Sequence, residues 1–377
     1  MGKDTPAAST SSAAAKAPQP CEALEDGRRK WRVTVLISGS GSNLAALMTA
    51  LPTILWQCCV TSVFSNAKDA YGLQRAASHS PPIPASSFSP YNHQKAHPEL
   101  YSSIESQLKS LQQRAQAAEE GSSERAKLDR EWKELKKTLA STIKPRYQVE
   151  LAERVRATRP DLIVLAGFML ILLPETLETL RRDWDEDDVE WDGAGSTVTL
   201  GKSPYPDQTG LRGRPIPIIN LHPALPGSFI GPHVIEDAWE AFNQRRLPTK
   251  DGDAPGPVWD HDKEDGPSPF GEKITKTGIM IHRVIPELDR GEPVLWKEVE
   301  MKEGEALDEL KERLHKVEYG AIVEAVKQVT DALGDGTWWD GDDCRNQETE
   351  EAAATIKATA NPDSEQSTAT AAHSGGK

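Results

Sequence analysis

Apolar runs of strand length alternate with helix-length amphipathic segments along most of this chain. Trp31–Ser38 reads as a buried strand ending in a glycine-rich turn, and Asn43–Leu51 as the helix that follows. Cys58–Ser65 supplies a second strand, with a short helix at Gly72–Ala77. A helix over Leu151–Thr158 leads into a third strand at Pro160–Ala166, and Ile216–Leu221 gives a fourth. Two more strands fall at Lys276–Val284 and Val294–Val299, and Ala306–Gln328 closes the pattern as a long amphipathic helix. Repeated strand–helix units with continuously apolar strands predict an α/β fold. The expected architecture is one mostly parallel, Rossmann-like sheet with helices on both faces.

Three stretches break the rhythm. Residues 100–145 are charged and helix-favouring without a strong apolar stripe, 183–215 carry the acidic run Asp185–Asp188, and 246–272 are dense in Pro, Gly and Asp. All three read as surface insertions. Residues 1–30 read as a disordered leader and 336–377 as a disordered acidic tail, leaving a single folded domain over 31–335. Composition agrees: only 37% of the 377 residues are apolar, below the roughly 45–50% of globular chains. Without tails and insertions the core is about 200 residues, a usual single-domain size.

A formal charge of -14 argues against nucleic acid as a main partner, though a local basic pocket for a phosphorylated metabolite is compatible with it. The four cysteines, Cys21, Cys58, Cys59 and Cys344, show no CxxC spacing, so neither a zinc knuckle nor a disulfide framework is expected. That usage fits a reducing compartment. No apolar run approaches the roughly 18 residues needed to span a membrane. Met1–Pro20 lacks an apolar signal core, and the first arginine is Arg28. A cytoplasmic protein is expected.

Chemistry concentrates at strand ends. In Ile218–Pro223 two β-branched residues run into Asn220, then Leu221, then His222, and a proline stops the strand. Side chains alternate along a strand, so Asn220 and His222 face the same way. An amide donor beside a titratable ring can hold a carbonyl oxygen and move a proton, which suits acyl transfer; a polar strand end is the plain alternative. Ser38–Leu44 joins the first strand to the first helix through Gly39 and Gly41. It reads either as a cradle for one phosphate or as an ordinary strand–helix turn with Ser42 or Asn43 as N-cap. Leu44 breaks a GxGxxG fingerprint, and no Gly-Lys-Ser/Thr follows. Gly167–Leu172 offers either backbone groups and apolar walls to a flat heterocycle or a buried packing cluster. His282 lies on a strand, and the turn Pro286–Gly291 carries Asp289. Asp289 is a candidate partner for His222, or a turn aspartate bonded to its own backbone.

The order of these motifs resembles that of the phosphoribosylglycinamide formyltransferases, folate-dependent enzymes of purine synthesis. The resemblance rests on Ser38–Leu44, Val63–Asn66 with Ala70–Leu73, Pro160–Met169, Asn220–Pro223, Gly278–His282, Glu287–Gly291 and the late helix around Glu318, in order across roughly 30–330. It implies direct transfer of formyl from 10-formyltetrahydrofolate, a co-substrate, to the amine of glycinamide ribonucleotide. It implies that Gly41, Ser42 and Asn43 hold the ribonucleotide phosphate, and that Glu318, with His315 on the same helical face, meets the glycinamide end. Met169, Leu170, Ile171 and Leu172 with Ile285, Pro286, Glu287, Leu288 and Asp289 would line the folate pocket, which Asn220 also touches. Asn220, His222 and Asp289 match the catalytic trio.

Those roles are chemically coherent. Amine attack on the formyl carbon makes a tetrahedral oxyanion that Asn220 can bind, while Asp289 would keep His222 protonated or guide a water in the relay. No metal is needed, and no ligand cluster for one is visible in the sequence. The chain departs from the family pattern at Leu170, where a basic residue is usual, and in the loop Ala224–His233 after His222-Pro223. The folate-contacting arginine has no secure counterpart; Lys144 is the nearest substitute. Rival readings are a formyltetrahydrofolate deformylase and a non-catalytic nucleotide-binding module. The first is disfavoured by the lack of an N-terminal regulatory domain, the second by the intact trio.

Overall fold

The computed structural model describes residues 24–25, 29–181, 189–191, 197–199, 214–244 and 274–339. In chain order the strands are β1 (Trp31–Ile37), β2 (Cys58–Ser65), β3 (Ala85–Ser87), β4 (Leu162–Leu165), β5 (Val189–Trp191), β6 (Thr197–Thr199), β7 (Ile218–His222), β8 (Lys276–Arg283) and β9 (Pro293–Glu300). The helices are α1 (Ser42–Ala50), α2 (Tyr71–Ala77), α3 (Pro90–Ala96), α4 (Pro98–Ala117), α5 (Ser123–Arg156), α6 (Pro174–Arg181), α7 (Val234–Gln244) and α8 (Leu307–Asp335).

The main sheet runs β3-β2-β1-β4-β7-β8-β9. Its first five strands are parallel, while β7/β8 and β8/β9 pair antiparallel. Every residue of β4 is buried, and β1 is buried from Arg32 onward. Because successive side chains point to opposite faces, both faces of these strands are covered, as the continuous apolar runs require. Leu36, Phe64, Ile163, Leu165 and Ile218 pack with Tyr147, Leu151 and Val155 of α5 and Leu177 of α6. Val33, Val35 and Ile37 of β1 are also buried, and by alternation they face the other layer.

The strand order fixes where a ligand can sit. The chain starts in the middle of the sheet at β1, moves out through β2 and β3, then returns to β4 on the opposite side of β1. Connections leaving β1 and β4 therefore diverge and open a crevice at the carboxyl ends of the strands. Ser38 and Ala166 begin the two diverging segments, and Asn220 sits level with Leu165 on the adjacent strand.

The structure changes several sequence expectations. β3, an Ala-Ser-Ser edge strand, has no apolar signature to predict it. The stretch 100–145 is not a detached insertion. It forms α4 and most of α5, and Tyr101, Leu139 and Ile143 join the same apolar cluster as Tyr147 and Leu151. Its buried residues, Tyr101, Ala115, Leu128, Leu139 and Ile143, are sparse over two helices, so they leave no continuous stripe in the sequence. Of 183–215, the described part contains the antiparallel pair β5/β6; 246–272 lies outside the described residues. Cys58 is buried and takes no part in a disulfide, whereas Cys59 is disulfide-bonded, contrary to the expectation from cysteine spacing. By internal contacts the chain divides into Met1–Thr330 and Asp331–Lys377. In the second unit a 3-10 turn at Thr337–Trp339 with Trp338 buried lies beyond the expected domain end at 335. Among the described residues no helix is long and apolar enough to cross a membrane.

Candidate active site

The loop after β1 is shaped by one close backbone approach. Gly41 has φ 67°, in the left-handed region, and a Cβ there would lie 2.5 Å from the Cα of Gly72. Gly41 is therefore the cap residue of α1, which starts at Ser42, and no side chain caps the helix. This corrects the alternative in which Ser42 or Asn43 is the N-cap. The first-turn N–H groups of α1 have no helical acceptor and lie at the positive end of the helix dipole, so the loop has the geometry to receive an anion from the crevice. Asn43 points its amide elsewhere: Nδ2 donates to Glu318 Oε2 of α8 at 3.0 Å, and both side chains are buried. His315, one turn earlier on α8, is exposed. Arg75 of α2 donates from Nε to the Ser40 carbonyl at 2.9 Å and braces the loop from outside.

The turn after β4 forms the opposite wall. Ser38 ties the two together: its amide donates to the Gly167 carbonyl at 3.0 Å, and its Oγ accepts from the Met169 amide at 2.8 Å. Gln148 of α5, fully buried, clamps the far end of this segment. Its Nε2 donates to the Ile171 carbonyl at 2.9 Å, and its Oε1 accepts from the Leu173 amide at 2.8 Å and from Thr176 Oγ1 at 3.0 Å. Met169 and Ile171 remain 64% and 53% exposed, while Leu172 is buried. The segment is thus rigid in backbone and apolar on its open side. Ile285, Pro286 and Leu288 complete that side.

Four polar residues meet between the two walls. Asn220 and His282 are cross-strand partners on β7 and β8, with Asn220 Nδ2 3.2 Å from His282 Nε2. His282 Nδ1 lies 2.8 Å from the Arg283 carbonyl. A carbonyl only accepts, so Nδ1 carries the hydrogen, and in the Nδ1–H tautomer Nε2 accepts from Asn220. One Asn220 N–H is then engaged, and the second remains for a ligand oxygen. His222 Nε2 donates to the Phe229 carbonyl at 2.9 Å, which leaves Nδ1 as the basic nitrogen, 3.6 Å from Asp289 Oδ2. The other carboxylate oxygen, Oδ1, is 3.7 Å from His282 Nε2.

Asp289 bridges the two rings from a strained position. It has φ 54°, one of two non-glycine residues with positive φ among those described. Aspartate tolerates this conformation better than most residues, and such strain concentrates at functional sites. The turn leaves no alternative at Gly291, where a Cβ would fall 1.6 Å from the Arg283 carbonyl oxygen.

The electrostatics correct one expectation. Burial pulls the His222 pKa below its ordinary 6.5, and His282 adds to that; the pull of Asp289 and the Phe229 carbonyl in the other direction is smaller. The resting ring is neutral at pH 7 rather than held protonated by Asp289. Burial pushes the Asp289 carboxyl up, but the His282 and His222 rings facing it outweigh burial and hold the group below its usual 3.8. A neutral imidazole with an unprotonated Nδ1 beside an ionised carboxylate has the makings of a general base, since the carboxylate stabilises the protonated ring.

A cavity of about 570 Å³ joins these parts. Of the residues expected at the site, Gly41, Ser42, Asn43, His315 and Glu318 line one end, and Met169 to Leu172 with Ile285, Pro286 and Leu288 line the other, around Asn220, His222 and Asp289. Lys144 and Glu287 are exposed and outside the cavity lining; Lys144 sits on α5 next to the buried Ile143, with its own side chain turned to solvent. His282 was visible as a strand residue, but its place here depends on the β7/β8 pairing. Gln148 gave no sequence signal.

An open, largely parallel sheet with an anion cradle, an apolar slot and an Asn/His/Asp centre at its switch point is the frame of a group-transfer enzyme acting on two small molecules. Comparison with known proteins gives the family. The model described as Formyl transferase matches residues 31–183 and 268–326. Phosphoribosylglycinamide formyltransferase of Schizosaccharomyces pombe is 30% identical over 299 residues, 79% of this chain and 96% of the relative. That of Saccharomyces cerevisiae is 30% identical over 306 residues, 80% of this chain and 98% of the relative. This chain belongs to the formyl transferase family. Among solved structures, glycinamide ribonucleotide transformylase 1 from Symbiobacterium toebii is similar with a TM-score of 0.46 and 20% identity, covering 80% of this chain and 89% of that one.

Proposed function

We propose that this chain transfers formyl from 10-formyltetrahydrofolate to the amine of glycinamide ribonucleotide, yielding the formylated ribonucleotide and tetrahydrofolate for purine (IMP) synthesis in the cytoplasm. The observation that carries this reading is the polar centre lying between an anion cradle and an apolar slot in one cavity. Relatives matched over nearly their whole length are named for the same activity.

In this reading the ribonucleotide phosphate accepts hydrogen bonds from the N–H groups of Gly41, Ser42 and Asn43, and Glu318 with His315 meets the glycinamide end. The folate ring system lies against Met169, Leu170, Ile171 and Leu172, with Ile285, Pro286 and Leu288 across from it. The neutral amine attacks the formyl carbon, forming the new C–N bond and a tetrahedral oxyanion. The free N–H of Asn220 binds that oxygen. His222 Nδ1 takes the proton that the attacking nitrogen sheds, and Asp289 stabilises the imidazolium. The bond from carbon to the folate N10 then breaks, and the same proton goes to N10, so the cycle is balanced without an added acid or oxidant.

Purified chain mixed with 10-formyltetrahydrofolate should form tetrahydrofolate only when glycinamide ribonucleotide is present. Equal turnover without the ribonucleotide would make the chain a deformylase and overturn the proposal.

A further inference from the structure

A second group of ligand-type side chains lies outside the catalytic cavity, where α3 meets α5. Ser89 caps α3 by accepting from the Asn92 amide at 3.2 Å, with Asn92 completing a capping box and Pro90 in the first turn. This well-defined start sets His93 and His97 four residues apart, on one face of the turn that passes from α3 into α4. Glu150 of α5 reaches between them. Its Oε2 is 2.6 Å from His93 Nδ1 and 3.1 Å from His97 Nε2, and one ligand atom from each of the three lies within 4.8 Å of the others.

We propose that His93, His97 and Glu150 form a binding site for a divalent transition-metal ion of zinc type. Two imidazole nitrogens and one carboxylate oxygen are a zinc donor set, and metal–ligand bonds of about 2.0–2.2 Å would need only a slight opening of the trio. The surroundings carry the argument further than the three residues alone. Metal-bound histidines give their distal nitrogen to a fixed partner, and His93 does so here. His93 Nε2 is 2.8 Å from the Tyr101 hydroxyl, and His97 Nδ1 is 3.4 Å from Glu99 Oε1. The second oxygen of Glu150 is held by Arg154, with Nε 3.1 Å and Nη2 2.5 Å from Oε1, which turns Oε2 toward the histidines. Arg154 is itself fixed over the Phe88 ring, 4.0 Å from its centroid. His97 and Glu150 have 37% and 25% side-chain exposure, so water can reach the site and fill a fourth position. Glu150 comes from 53 residues beyond His97, so local spacing could not reveal the cluster.

The ion would pin α5 to the α3–α4 junction. Gln148, two residues before Glu150, holds the Ile171–Thr176 segment from the same helix, so the site would anchor the support of the apolar wall rather than take part in chemistry. This inference is independent of the reaction proposed above.

The test uses the full chain, stripped with chelator and titrated with Zn²⁺ by calorimetry and with Co²⁺ by visible absorption. One equivalent of zinc should bind and raise the thermal midpoint, and Co²⁺ should give intense tetrahedral-type bands. His97→Ala, at a partly exposed junction, should fold normally by circular dichroism yet lose the bands and the thermal shift. Tyr101→Phe should weaken binding about tenfold, the scale of outer-shell losses. A His222→Ala/His282→Ala variant should retain the site. Failure of the wild-type chain to bind one equivalent, or binding unchanged in both His97→Ala and Glu150→Gln, would overturn the proposal.

Discussion

Asn220 gives one amide hydrogen to His282 Nε2 across 3.2 Å, between facing positions of β7 and β8. The contact fixes which end of the amide faces the cavity, because the His282 nitrogen in question accepts. In the proposed mechanism His282 is thereby a positioning residue for the oxyanion donor. His282→Ala should lower kcat by about 10- to 100-fold, less than the hundred- to thousandfold typical when the donor itself is removed. KM for both substrates should stay within about twofold, and His282→Gln, which keeps an acceptor, should recover part of the loss. Steady-state kinetics on the three proteins decide this; an unchanged kcat in His282→Ala would remove the residue from the account.

In the proposed mechanism, protonation of His222 sets the acid limb of activity. The base is the neutral ring, and burial holds its pKa below 6.5. The profile of kcat/KM should therefore be flat near pH 7 and fall as pH drops below 6.5 through the depressed value, which belongs to the free enzyme. Asp289 pulls the His222 pKa upward, so Asp289→Asn should move the acid limb to still lower pH while also lowering the plateau. A limb that moves to higher pH in this variant would contradict the assigned roles.

The cradle depends on the left-handed Gly41 and not on glycine in general. Gly41→Ala puts a Cβ 2.5 Å from the Gly72 Cα at φ 67°, whereas a Cβ at Gly39 meets nothing within 4 Å. Gly41→Ala should raise KM for the phosphorylated acceptor by at least about tenfold, since the N–H groups that would bind it are displaced. Gly39→Ala should melt within a degree or so of the parent. Thermal melts and acceptor titrations of the pair separate the two positions.

Gln148 supports the apolar wall through three hydrogen bonds. Gln148→Leu leaves the Ile171 carbonyl and Leu173 amide without these partners and should destabilise the protein by about 2–3 kcal/mol. The expected kinetic signature is a raised KM for the folate with a smaller change in kcat. Urea unfolding gives the first quantity and donor titration the second.

The alternation of apolar strands and helices made the parallel half of the sheet legible, and with it the crevice at the ends of β1 and β4. Asn220, His222 and Asp289 were legible because each stands at a strand end or in a glycine turn. His282 and Gln148 were not, because their roles arise from pairing and packing between segments distant in sequence. The direction of the His222 shift was also hidden: a nearby carboxylate is visible in sequence, but the burial that outweighs it is a property of the folded site. Lys144, the nearest substitute for the family's folate-contacting arginine, had no motif to place it, and it is exposed on α5 outside the cavity lining.

The central claim is direct transfer between two bound small molecules, and the fate of a labelled formyl carbon tests it most directly. With formyl-labelled 10-formyltetrahydrofolate and glycinamide ribonucleotide, all label released from the folate should appear on the ribonucleotide amine. Asn220→Ala and His222→Ala should slow that transfer without diverting the label. Label recovered mainly as formate would contradict the account.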